Sequence, residues 1–383
     1  MKLVIDVFFM CYVEPLNVKD KVAQNAPFYQ HALTRTISHY LKDLSSFEKV
    51  NPSYSMVSNI VWKYFFTTRA FIQSYNIIEL SHFEELNIPE GILITAPCRT
   101  ENHDLLIVYV PNIPLFGGAP FFYVEYLMTL HSLLLLQGFN SPSIFIMKFP
   151  EESKTSSMEY NLKFFTESLV KIVEQNPNSK VVLMGDSLGA TLILNFLSVK
   201  SGVFFNEKTN DENNMNLDID PYAVILLSPI VSFVQPEKYA AGNLDFLTQR
   251  CVDDMASNFC SNKAADRFNP AAWDKLEMWE KIVPGGGMVI TFGDEELQSE
   301  KIDTLSKLAF KTERVKIMKA HNKGHCWQFI SFLTEETQDE KEDSCFLLAG
   351  LISRMVIYKT ETYRDPERAY EPMNLLTIDD DHL

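Results

Sequence analysis

Basic residues are scarce in this chain. Its 383 residues hold 34 Lys+Arg against 50 Asp+Glu, a formal charge of -16. Such a balance repels a phosphate backbone, so nucleic acid is not an expected partner. No Cys-x-x-Cys pair occurs among Cys11, Cys98, Cys251, Cys260, Cys326 and Cys345, which removes zinc-ribbon and dithiol redox chemistry and leaves reduced, mostly buried thiols as the expectation. No His/Cys/Asp cluster has metal-ligand spacing, and neither metal nor cofactor is expected. Asn-x-Ser/Thr sequons with a permitted middle residue are also missing, which is compatible with a cytosolic location. There is no internal repeat and no low-complexity tract.

Long apolar runs are missing as well. Leu3 to Val13 is short, has only Lys2 as a basic flank and lacks a small-residue cleavage site, so it reads as a strand or a weak anchor. Tyr126 to Met147 has no charged residue, but Gly138, Asn140 and Pro142 divide it into a buried helix, a turn and a buried strand rather than a membrane span. What the chain does have is 46% hydrophobic residues and 28 Phe against 14 Gly. This is enough for a large core and suits an apolar substrate pocket or a lipid-facing surface.

The first 80 residues read as helical, with apolar residues at helical spacing over Phe28 to Leu44 and Tyr54 to Tyr75, and form a candidate cap. Short β-rich runs then alternate with helical stretches: Gly91 to Thr95, Leu105 to Val110, Ser143 to Lys148, Lys180 to Met184, Ala223 to Leu227, Met288 to Phe292 and Val315 to Met318. Near-continuous apolar strands separated by helices predict an α/β fold with a mainly parallel sheet covered on both faces. Residues 81–358 form that domain. Ser201 to Asp220 reads as a solvated loop and 234–275 as a second cap segment inserted between strands. The acidic tail 359–383 reads as disordered.

The sharpest motif is Gly185-Asp186-Ser187-Leu188-Gly189, between the strand ending at Met184 and the helical run from Ala190. A serine on a tight strand-to-helix turn needs small neighbours, and the helix start aims N–H groups at any negative charge that develops there. Ser187 is the candidate nucleophile. It needs a base, and in this arrangement acid and histidine follow the serine in order. His325, beside Gly324 and ahead of Trp327, is the preferred base and His321 its near rival. The acid should leave the strand ending at Phe292, where Asp294, Glu295 and Glu296 are adjacent; any one of the three could orient the imidazole.

The elbow, Leu227-Ser228-Pro229, the run from Trp279 through Pro284 to Gly293 and Gly324-His325-Cys326-Trp327 resemble, in this order, the α/β-hydrolases of the hormone-sensitive-lipase-like group. The similarity is greatest to the fungal steryl acetyl hydrolase family and covers about Leu105 to Phe332. The resemblance implies hydrolysis of an apolar ester such as a steryl acetate, a helical cap, and association with the endoplasmic reticulum membrane. Setting Leu297 against the Leu of the family's Asp-Pro-Leu motif puts the acid at Glu295, with Asp294 and Glu296 as off-by-one alternatives.

One loop departs from the family. The expected His-Gly-Gly-Gly is replaced by Pro111-Asn112-Ile113-Pro114. Pro114 has no N–H, so the loop offers at best one backbone donor, Ile113, to join the N–H of Leu188, with the Asn112 side chain as a substitute. The leading expectation is a serine carboxylic-ester hydrolase. An acyltransferase using the same triad, or a non-catalytic lipid- or sterol-binding relative, are the alternatives.

Overall fold

A computed structural model describes residues 81–97, 103–113, 120–154, 156–203, 219–233, 249–259, 268–334 and 338–357, with Lys63, Asp245 and Leu247 singly. The proposed amino-terminal cap (apart from Lys63), the acidic tail and much of the 234–275 insertion lie outside these residues.

Among the described residues eight strands form one sheet: β1 (His82–Asn87), β2 (Glu90–Thr95), β3 (Leu105–Val110), β4 (Pro142–Met147), β5 (Lys180–Asp186), β6 (Ala223–Leu227), β7 (Met288–Gly293) and β8 (Val315–Ala320). Their order is β1-β2-β4-β3-β5-β6-β7-β8. β1 and β2 are antiparallel, and from β4 to β8 every pairing is parallel. The described helices are α1 (Phe121–Leu136), α2 (Met158–Glu174), α3 (Leu188–Lys200), α4 (Gln249–Phe259), α5 (Leu276–Ile282), α6 (Ser299–Phe310), α7 (Trp327–Thr334) and α8 (Gln338–Val356).

The central strands are apolar at successive positions because both their faces are covered. Leu106, Val108 and Val110 of β3 join a core with α2, α3, α5 and α6. Leu105, Ile107 and Tyr109, one residue out of phase, join a second core with α1, α7 and α8. A one-residue slip of β3 would exchange these two sets, so packing fixes its register. The edge strand β8 is only half buried past Val315 and carries Lys316 and Lys319, charges that discourage further strand pairing.

The charge-free run divides as its sequence implies. α1 is buried around nearly its whole circumference, Gly138 turns the chain at φ 99°, and β4 follows. Among the described residues no helix is long and apolar enough to cross a membrane.

α1 also buries His131. Its Nε2 lies 3.0 Å from the Pro142 carbonyl, so it donates there, and Nδ1 accepts from the Ser81 hydroxyl at 2.7 Å. Burial lowers its pKa from 6.5 to about 4, against the raising effect of the Pro142 carbonyl. The unfolded chain therefore takes up this proton first. The neutral ring's contribution is intact above pH 6.5 and is lost as pH falls toward 4, a change of about 3 kcal/mol. The Tm advantage of wild type over His131→Gln should narrow across that interval in thermal melts. A gap independent of pH would contradict the buried, neutral assignment.

Candidate active site

Ser187, Ser228, Glu296 and His325 all lie beyond the carboxyl ends of parallel strands, in the loops after β5, β6, β7 and β8, where open α/β sheets place their ligand crevices. Ser187 has φ 53° and ψ -120°, a strained conformation characteristic of functional turns. A serine at a helix start ordinarily caps the helix with its own hydroxyl. Here it makes no such bond, and Oγ turns instead to His325 Nε2 at 2.9 Å.

The turn depends on its glycines. A Cβ at Gly189 would stand 2.2 Å from the Val110 carbonyl oxygen and 2.5 Å from that of Pro111; one at Gly185 would meet Val110 O at 2.9 Å. The backbone leaving β3 thus passes directly over the first turn of α3, with no room for a methyl group.

His325 Nδ1 faces Glu296 Oε2 at 3.2 Å. Ser187, His325 and Glu296 are 0%, 2% and 4% exposed, so the relay is shielded from bulk water. Burial depresses the imidazole pKa, but the hydrogen bond and charge of Glu296, with the charges of Asp245 and Asp186, outweigh it and hold the ring above its ordinary 6.5. An imidazolium formed by taking up the Ser187 proton would be stabilised by the same carboxylates.

The carboxylate at the imidazole is Glu296 and not Glu295, which corrects the alignment on Leu297. The backbone N–H groups of Asp294 and Glu295 bond to Ala320 O and Lys323 O, at 2.9 and 3.1 Å, so these two residues continue along the β8 side. The chain turns inward only at Glu296, whose Oε1 accepts from Gly293 N at 2.6 Å. The Glu296 side chain thus reaches both the Gly293 N–H and the imidazole. Gly293 permits the approach: a Cβ there would lie 2.0 Å from the Lys323 carbonyl oxygen. Asp294, the other alternative, pairs with the rival His321 at 2.6 Å on the surface, far more exposed than the buried relay.

Two contributions were not legible in the motif. Ser228, at φ 46°, donates to Glu296 Oε1 at 2.6 Å and accepts from Cys326 N at 2.9 Å. One hydroxyl thus ties the acid to the residue after the histidine. The second is a buried network around Asp186, whose Oδ1 accepts from Tyr109 Oη at 2.7 Å and Asn112 N at 3.1 Å, while Oδ2 accepts from Tyr123 Oη at 3.2 Å. Burial raises the Asp186 pKa from 3.8 to about 6, opposed by these donors and by His325. The Asn112 N–H is therefore spent on Asp186 and cannot serve an oxyanion. Its side-chain Oδ1 is buried with no hydrogen-bond partner among the described residues. Ile113 is buried beside it, and Leu188 supplies the first N–H of α3. Pro114 lies outside the described residues.

The family model described as steryl acetyl hydrolase matches residues 94–325, more than half of the chain and every residue of the relay. The chain belongs to the steryl acetyl hydrolase family. It is accordingly a carboxylic ester hydrolase. Solved structures share the fold: a hormone-sensitive-lipase homologue, EstE7, from a metagenome library superposes with a TM-score of 0.57 at 12% identity, over 85% of this chain and 98% of that one. Carboxyl esterase 2 of the mycorrhizal fungus Tuber melanosporum gives 0.53 at 13% identity, over 72% and 87%. No curated protein sequence matches. Among the described residues no group of His, Cys, Asp and Glu is placed to hold a metal ion.

Proposed function

We propose that this member of the steryl acetyl hydrolase family removes the acyl group, acetate first among candidates, from an ester of an apolar alcohol such as a sterol, through an acyl-enzyme on Ser187. The observation that carries the reading is the unbroken hydrogen-bonded chain from Ser187 through His325 to Glu296 at a strained, glycine-flanked elbow. Ser187 Oγ attacks the ester carbonyl as His325 Nε2 takes its proton. Glu296 holds the other ring nitrogen protonated. The tetrahedral intermediate collapses as His325 returns the proton to the departing alcohol. Water, deprotonated by His325, then frees the acid and restores the serine. An apolar substrate agrees with the family and with the chain's aromatic content.

The oxyanion is held by Leu188 N–H, Ile113 N–H and the Asn112 carboxamide. An amide can present either of its ends, and the orphaned position of Asn112 becomes a donor when the group turns over to meet a negative oxygen. Asn112→Ala should lower kcat by about 10²-fold with little change in KM, the usual cost of one oxyanion donor. A fall in Tm with kcat unchanged would assign the side chain to structure instead.

The substrate is tested by comparing kcat/KM for a steryl acetate in detergent micelles with that for a short-chain alkyl acetate. A preference for the steryl ester supports the reading, and a reversed preference contradicts it. New ester formed from an added alcohol faster than free acid would make the chain a transferase. Association with the endoplasmic reticulum membrane belongs to the same proposal, and partition of the full chain with that membrane fraction would support it.

A further inference from the structure

We infer that Asp245, carried by the insertion between β6 and β7, is a positioning residue of the catalytic relay that fixes the acid loop and supplies His325 with a further negative charge. This rests on the ester-hydrolase reading above.

The acid loop is fastened at three consecutive residues to the stretch after β6. Glu296 reaches Ser228 through its side chain. Leu297 donates its backbone N–H to Asp245 Oδ2 at 2.6 Å. Gln298 accepts from Val231 N at 2.9 Å and Ser232 N at 3.0 Å, and donates to Ser232 O at 2.7 Å. The middle fastening is the one made by a residue from the insertion. Asp245 also accepts from Leu247 N through Oδ1 at 2.9 Å, so both its oxygens are engaged and its orientation is fixed.

The position of Asp245 matters because its partner is the residue next to Glu296. A carboxylate held there adds its field to the imidazole at no cost of reorganisation when the imidazolium forms. The charges acting on Asp245 are those of His325, which favours its ionised form, and Glu296, which opposes it. Burial is the largest influence and raises its pKa from 3.8 to about 6, the two N–H donors opposing. It is therefore ionised at neutral pH. His325 in turn meets Glu296 directly at 3.2 Å and feels the charges of Asp245 and Asp186. Asp186 is committed to two tyrosine hydroxyls and the Asn112 N–H, whereas among the described residues Asp245 is bound by the backbone N–H groups of Leu247 and Leu297. Its replacement leaves Tyr109, Tyr123 and Asn112 in place, and Asp245→Glu separates the loss of charge from the loss of a fastening.

The test is the pH profile of kcat/KM for an acetate ester with the full-length chain. Wild type should show an acid limb above pH 6.5, where His325 must lose its proton to act as base. In Asp245→Asn the limb should move down by about 0.5 to 1 pH unit and kcat should fall about tenfold, since one of the charges that favour the imidazolium is gone. Asp245→Glu, which keeps the charge, should leave the limb near its wild-type position. An unmoved limb in Asp245→Asn overturns the inference whatever happens to kcat or Tm, as does an equal shift in both variants. If wild type hydrolyses no ester, the enzyme reading fails by itself. The inference is then judged by NMR titration of His325 in the same proteins, where Asp245→Asn should still lower the ring's pKa.

Discussion

Glutamine in place of Glu296 should lower kcat by about 10⁴-fold, while glutamine in place of the adjacent Glu295 leaves it nearly unchanged. The magnitude follows from the tautomer of His325. In Glu296→Gln the new carboxamide would keep an oxygen for the Ser228 hydroxyl and the Gly293 N–H, so the loop keeps its fold. Its NH₂ would then face Nδ1 and donate to it, which moves the ring proton to Nε2. A ring protonated on that side cannot take the proton of Ser187 at 2.9 Å. Glu295 contributes its backbone N–H to Lys323 O, and this bond survives substitution of the side chain. Steady-state kinetics of both variants on one acetate ester decide the matter. An equal loss in both, or a larger loss in Glu295→Gln, would contradict the placement of the acid.

Ser187→Ala should lower kcat by about 10⁶-fold and abolish labelling by a fluorophosphonate, with the fold intact. The size reflects loss of the covalent route, the remaining rate coming from the oxyanion donors and binding. The fold should tolerate the change because the hydroxyl caps nothing in α3, and alanine adds no atom to a crowded turn. Retained Tm together with retained turnover would exclude Ser187 as the nucleophile. Gly189→Ala makes a useful contrast: its methyl group would press into the Val110 and Pro111 carbonyls, so that protein should lose stability as well as activity.

The interior strands were readable because burial on both faces leaves unbroken apolar runs such as Leu105 to Val110. β1 was not, since His82 to Asn87 is a partly exposed edge strand with the polar composition of a loop. The elbow was legible because its glycines answer a steric demand of the turn itself. Choosing among Asp294, Glu295 and Glu296 required knowing where the backbone stops pairing with the β8 side, a tertiary fact that three adjacent carboxylates cannot encode. Setting Leu297 against the family's leucine points to Glu295, whose backbone is still paired with Lys323 O. Asp245 left no local signal at all. It acts across 52 residues through the N–H of Leu297, and nothing in its immediate sequence distinguishes it from other acidic residues of a polar insertion. Ser228 was visible only as part of a strand end; its hydroxyl acquires meaning when the Glu296 and Cys326 loops meet over it.

The central claim, an acyl-enzyme carried by Ser187 in the relay with His325 and Glu296, is tested most directly by acid-quenching the wild-type protein during turnover of an activated acetate ester and mapping the adduct by peptide mass spectrometry. The account predicts one acetyl group per chain, on the peptide containing Ser187, and none on Ser187→Ala. Turnover by the folded wild type with the acetyl group on another residue, or undiminished turnover by Ser187→Ala, would contradict it.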